Sequence, residues 1–166
     1  MAVDFQNYTK NVRSVLTILE DHDVDFQISA FDQPAHRADQ AAELLNCPLG
    51  AIVKSLVFET VEDQMIFIVL VSGTNRADYD ILEEIFGKPV RAAQPDVVLE
   101  KTGYPVGAVP PIGLQHVYTV IMDADLLRYE RVWASAGSAH VLMGLSSKAL
   151  QQLSQARVKR INKEKG

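Results

Sequence analysis

Apolar residues recur at helical spacing over "YTKNVRSVLTILEDH", residues 8–22, where Val12, Val15, Leu16 and Leu19 share one face. The period then drops to two. In "VDFQISAF" the residues Phe26, Ile28 and Ala30 alternate with polar neighbours, which predicts a strand. "RADQAAELLN" predicts a short helix closed by Pro48 and Gly50. Two β-prone runs follow, "AIVKSLVFET" and "QMIFIVLVSG", separated by the polar "VED". The second is apolar on both faces, as a strand with neighbours on every side must be. "ADYDILEEIFG" predicts an amphipathic helix stopped by Gly87, and "PDVVLEKTG" a helix stopped by Gly103, with "PVRAA" as a short strand between them. "QHVYTVIMD" predicts a strand and "ADLLRYE" a helical turn. "RVWASAG" and "AHVLMGL" predict a strand pair, and "SSKALQQLSQAR" a last helix capped by Ser146 or Ser147.

Strands and helices interleave, and several strand pairs are joined by connections too short for a crossover. Those pairs must be antiparallel, so the expected fold is α/β in the α+β sense: a mixed sheet flanked by helices. No repeat and no long linker divides the 166 residues, which are read as a single domain. Composition leaves this picture unchanged, since 48% hydrophobic and 22% charged residues are ordinary for a globular chain. The longest apolar run, "MIFIVLV", is far shorter than the roughly 20 residues of a membrane span. The polar start carries no signal region, so the expected location is the cytoplasm. The Asn7-Tyr8-Thr9 sequon then has no use. Cys47 is the single cysteine and, with no cationic neighbour in sequence, is read as packing.

Charge does change the picture. The last ten residues carry five positive charges and one negative, against a net −9 for the remaining 156. An acidic body argues against a long nucleic-acid footprint, and hence against DNA as a partner. Contact with one RNA end remains open. The basic tail, 157–166, is expected to be solvated and mobile, with a phosphate contact as the alternative.

Three places could carry chemistry. Lys54 falls among Ile52, Leu56 and Phe58 on one strand face, where an ammonium needs water or an anion. It is either a snorkelling edge lysine or a lysine aimed into a pocket for phosphate or carboxylate. "SGTNRADYD", 72–80, can bind at a strand end, but Thr74 or Asn75 as a helix cap is preferred. "WASAGSAH", 133–140, reads first as a tight hairpin around Gly137; alternatively its small residues leave room for a ligand touched by Ser135 or His140. His22, His36, His116 and His140 show no metal-ligand spacing, so neither a metal nor a cofactor is implied. No serine elbow and no phosphate-binding Gly-Lys-Ser/Thr loop is present.

The segment "TGYPVGAVPPIG", 102–113, packs three glycines and three prolines into twelve positions. It is either a connector or a stiff loop whose backbone forms a site. In the second reading the N–H groups of Gly107, Ala108 and Val109 converge like an oxyanion hole, and Pro110 and Pro111 stiffen the wall.

"VKSLVF", "GTNRAD", "TGYPVGAVPPIG" and "WASAG", in that order, resemble the YbaK/EbsC family. These are aminoacyl-tRNA deacylases related to the editing domain of prolyl-tRNA synthetase. The resemblance spans about residues 24–155 and implies a mixed, strongly curved sheet flanked by helices. It implies that Lys54 is the essential lysine holding the charged 3′ end of the tRNA. It also implies that Gly107 to Pro111 form the loop that places ester and water, with Phe31 as a pocket aromatic and Ser135, followed by Gly137, as the pocket serine. Ser55, Gly103, Tyr104, Gly113 and His140 are further candidate substrate contacts. Ala108 and Pro110 depart from the family's frequent Gly-Gly-x-Ser-Pro loop. They resemble the branch that handles alanine or 2-aminobutyrate more than the branch that clears cysteine from prolyl-tRNA. The implied activity is hydrolysis of a small amino acid from mischarged tRNA, with proline tRNA first, and prolyl-tRNA synthetase is an implied partner. The rival reading is a non-catalytic aminoacyl- or nucleotide-binding module, or one that docks on a synthetase.

Overall fold

The structure is a computed structural model and describes residues 8–162. Asn7 of the sequon and the end of the basic tail lie outside the described residues. Helix α1 (Lys10–Asp21) starts at Thr9, whose side chain accepts from the Val12 N–H. Its apolar face is the predicted one: Val12, Val15, Leu16 and Leu19 are all fully buried. Strand β1 (Phe26–Ala30) leads to α2 (Ala38–Leu45). The helix stops at Asn46 in the left-handed region, φ 53°, rather than at Pro48, which instead opens the 3-10 turn Leu49–Ala51.

Strands β2 (Val53–Thr60) and β3 (Ile66–Ser72) form an antiparallel hairpin from Val53 opposite Ser72 to Glu59 opposite Ile66. Then come α3 (Tyr79–Phe86), β4 (Val90–Ala92), α4 (Pro95–Thr102) and β5 (Thr119–Asp123). A second 3-10 turn (Ala124–Arg128) leads to β6 (Arg131–Ser138), β7 (Val141–Ser146), α5 (Ser147–Ser154) and β8 (Arg157–Lys159). Gly87 and Gly103 end their helices as predicted, and Ser146 is the cap of α5.

The strands form two sheets. One is antiparallel, in the order β1-β7-β6; the other is mixed, in the order β4-β2-β3-β5-β8. A bridge between Ile52 and Trp133 joins them, so the single curved sheet of the expectation is two sheets meeting at one bridge. β3 sits at the centre of the larger sheet with all seven residues buried. Its two faces feed two cores. Ile68 and Leu70 pack with α1, Val132 and Met143; Phe67, Val69 and Val71 pack with Phe58 and Leu82. The larger of these cores fills the space between the two sheets and α1.

Three further expectations are corrected. The cap of α3 is Asp78, which accepts from the N–H groups of Asp80 and Ile81; Thr74 and Asn75 lie upstream, in the turn that leaves β3. The hairpin between β6 and β7 turns at residues 139–140, not around Gly137, which lies in an irregularity of β6 between Ser135 and Ser138. Residues 157–159 are not a mobile tail. They form β8, parallel to β5, and Ile161 beyond them is fully buried against α3. Two apolar side chains, the partly buried Val158 and the fully buried Ile161, dock this basic segment on the two cores.

Candidate functional site

β2 is flanked on both edges only where β4 pairs with it, over Phe58–Thr60. Ahead of that its outer edge opens on a cavity of about 800 Å³, a size usual for small-molecule sites. The cavity wraps the edge and therefore takes side chains from both faces. Lys54 shares the α3 face with Leu56, and Ser55 shares the other with Val53 and Val57. The loop after α4 supplies Val106, Gly107 and Val109, and β6 supplies Ser135. The turn after β3 contributes Arg76, and the approach to α2 contributes His36 and Arg37.

Lys54 is half-buried, and its Nζ donates to the Asn75 carbonyl at 2.5 Å. Burial first, and then the charge of Arg76, push the ammonium below the ordinary lysine range; Asp123 opposes them. The strand therefore holds a cation in a place that disfavours it. Such a group gains from a bound anion. Ser55 next to it has a buried hydroxyl with no hydrogen-bond partner among the described residues. A buried orphan hydroxyl on a cavity wall is the kind of group a ligand satisfies. Arg76 has no ion-pair partner among the described residues, whereas Arg37 at the rim pairs with Asp39.

The loop is no mere connector. Ala108, Val109, Pro110, Pro111 and Ile112 are buried, while Val106 is exposed. Gly107 has φ +88°, a conformation that a side chain strains, although an added Cβ would meet nothing nearer than His36 Nδ1 at 3.9 Å. The need for glycine there is conformational, not one of space. The Ala108 N–H donates to the Pro105 carbonyl at 3.0 Å, closing a turn. It is therefore spent, and the proposed trio of donors is reduced to the N–H groups of Gly107 and Val109. Ser135 locks the loop to β6. Its hydroxyl donates to the Ala108 carbonyl at 3.0 Å and accepts from the Gly137 N–H at 3.1 Å. Gly137 has φ +105°, and a Cβ there would meet the Asn11 carbonyl oxygen at 3.1 Å and the Tyr104 ring at 3.2 Å. Ser135 and Gly137 thus hold the loop in place from behind.

Of the predicted site residues, the cavity brings together Lys54, Ser55, Gly107, Val109 and Ser135. Tyr104, Ala108, Pro110 and Pro111 are buried parts of the loop that do not line it, and Gly103 and Gly113 frame that loop. Phe31 and His140 stand apart from the cavity as a pair. The Phe31 N–H donates to the His140 carbonyl at 2.8 Å, and His140 Nδ1 lies 3.0 Å from the Phe31 carbonyl. Sequence reasoning missed that His36, Arg37 and Arg76 line the cavity. Arg76 was legible as the cation of "GTNRAD", which was read as a cap. Among the described residues no group of three His, Cys, Asp or Glu could hold a metal, and no helix is long and apolar enough to cross a membrane.

The aminoacyl-tRNA editing domain model matches residues 32–153, a span that contains Lys54, the loop and Ser135. YwhH of Bacillus subtilis (strain 168), itself uncharacterized, is 32% identical over 148 residues, 89% of this chain and 94% of its own. Proline–tRNA ligase of Thermosipho africanus (strain TCF52B) is 35% identical over 83 residues, 49% of this chain and 14% of the ligase. The crystal structure of a candidate trans-editing enzyme for prolyl tRNA synthetase matches with a TM-score of 0.86 at 32% identity, covering 95% of this chain and 100% of that one. This chain belongs to the aminoacyl-tRNA editing domain family.

Proposed function

We propose that this protein hydrolyses the ester linking a small amino acid to the 3′ end of a mischarged tRNA, with alanine, 2-aminobutyrate or cysteine on proline tRNA as the substrates. The observation that carries this reading is the convergence of one disfavoured ammonium, one orphan hydroxyl and one glycine-bearing loop on a single cavity. Water adds to the ester carbonyl, and the oxyanion that develops takes hydrogen bonds from the N–H groups of Gly107 and Val109. Collapse of the adduct releases the amino acid and leaves the ribose oxygen, which takes up a proton. Lys54 and Arg76 hold the terminal phosphate, and the Ser55 hydroxyl bonds to the ester or the ribose. The neighbouring ribose hydroxyl assists the water, so a strong general base is not required. The buried Pro110 and Pro111 stiffen the wall that limits side-chain size.

The test is a deacylation panel: proline tRNA charged with proline, alanine, cysteine or 2-aminobutyrate, and alanine tRNA charged with alanine. Release of the small non-cognate residues with prolyl-tRNA spared supports the reading. Saturable binding of every ester without release would identify a binding module instead.

A further inference from the structure

Lys54 does not end in free space. Its Nζ meets the main-chain carbonyl of Asn75, and the Asn75 side chain points into a pair of carboxylates. One Nδ2 group donates to Asp123 Oδ2 at 2.9 Å and to Asp125 Oδ2 at 2.8 Å, so both of its hydrogens are used. Asp123 is 1% exposed and takes three N–H donors. Its Oδ2 accepts from the Ser72 N–H at 3.0 Å as well as from Asn75, and its Oδ1 accepts from the Asp125 N–H at 2.9 Å. Asp125 is held in turn by Arg128 Nε at 3.2 Å. Capping of the 3-10 turn explains the Oδ1 contact. It leaves unexplained why a buried carboxylate reaches back across β3 to the turn that carries Asn75 and Arg76. That turn lies at the end of the sheet where β3 and β5 finish and β2 begins, which brings Lys54, Asn75 and Asp123 together.

We propose that Asn75 and Asp123 are the positioning residues for Lys54: Asp123 clamps the Asn75 amide, and the Asn75 carbonyl so fixed sets where the ammonium stands in the cavity. The role deepens the reading of Lys54 as the substrate-holding cation and rests on it. Asp123 does a second thing for the same group. The cations facing Lys54 across the cavity are Arg76, Arg37 and, when protonated, His36; Arg37 is already paired to Asp39. Against Arg76 and burial, the Asp123 carboxylate is the charge that favours the protonated amine.

The experiment follows Lys54 itself, so it does not depend on turnover. The rate of Lys54 acylation by acetic anhydride is measured against pH by peptide mass spectrometry in wild type, Asp123→Asn and Ser146→Ala. Asp123→Asn removes the favourable charge and keeps the shape, so the midpoint for Lys54 moves to lower pH. Ser146→Ala removes the cap of α5, costs stability and leaves the midpoint where it is. On mischarged tRNA, Asp123→Asn lowers kcat/KM by about tenfold or more, as misplacement of a contact group does. The alkaline limb of its pH–rate profile moves down with the acylation midpoint. Should Asp123→Asn fail to fold, Asn75→Ala carries the same measurement. It frees the carbonyl that hydrogen-bonds the charged amine, and the midpoint again falls. An unchanged midpoint in whichever variant folds overturns the proposal. If instead the midpoint moves but wild type releases no amino acid, the clamp stands and the hydrolytic reading fails.

Discussion

β2 and β3 are paired residue for residue, yet they carry different loads. β3 has a strand on each edge and buries every side chain. β2 is enclosed only in its second half; over Lys54 to Leu56 burial relaxes to intermediate, and there the cavity opens. Each strand is the other's hydrogen-bonded partner. They differ in whether a second neighbour lies alongside. A strand packed on both faces has nowhere to put an ammonium, whereas β2 over Lys54 to Leu56 meets the cavity and can direct one at a ligand. The composition follows: β3 reads Ile-Phe-Ile-Val-Leu-Val-Ser, and β2 places Lys54 and Ser55 where its neighbour is missing.

The contrast can be broken by mutation on either side. Leu70→Ala in β3, opposite Ser55, is expected to cost the most, about 2–5 kcal/mol in denaturant unfolding. Deacylation by the molecules that remain folded should persist. Lys54→Ala in β2 should do the reverse. Stability falls by no more than about 1–2 kcal/mol, the usual range for one substitution. Single-turnover deacylation falls on the order of 10²-fold, or about 2.7 kcal/mol of lost charge-assisted contact. Lys54→Arg should not restore full activity, because a planar fork does not replace a point charge in a confined site. If Lys54→Ala turned over normally while folded, the open half-edge would have no role in catalysis.

Gly107→Ala sharpens the comparison from the loop side. A Cβ has room there but not the right φ. Strain in the loop should cost no more than about 1–2 kcal/mol of stability. Displacement of a preorganised N–H by that strain should cost at least about tenfold in deacylation, roughly 1.4 kcal/mol. A variant that unfolds easily yet cleaves normally at low temperature would make the loop a structural element alone. The smallest expected effect is that of chelators, which should leave the rate unchanged once magnesium is restored to keep the tRNA folded. Loss of activity rescued by one divalent ion and not by another would contradict a backbone-and-lysine site.

Local patterns made most of the elements legible. The four buried residues of α1, the doubly apolar β3 and the glycine stops of α3 and α4 all depend on residues within a few positions of one another. The site was legible only where one residue contradicted its surroundings, as Lys54 did on its apolar face. Asn75 looked like a cap because a turn residue before a helix normally is one. Its actual partners, Asp123 and Asp125, lie 48 and 50 positions away. Gly137 looked like a turn because nothing local reveals that its crowding neighbours are Asn11 and Tyr104. β8 was hidden for a related reason. Its charges are visible in sequence, while the two cores against which Val158 and Ile161 separately pack are built by elements far upstream.

The half-edge that makes room for a ligand also leaves main-chain donors and acceptors of β2 without a strand beside them. Such a row is a template on which another chain can add a strand, and proteins crowded in a cell meet that hazard continuously. A long charged side chain is a common defence, since an incoming strand must bury or displace it. Lys54 and the nearby Arg76 stand at that opening. The cation proposed to hold substrate would therefore also hinder the sheet from extending into a neighbour. A chain that lost Lys54 would lose more than a contact: its molecules would be freer to aggregate through β2.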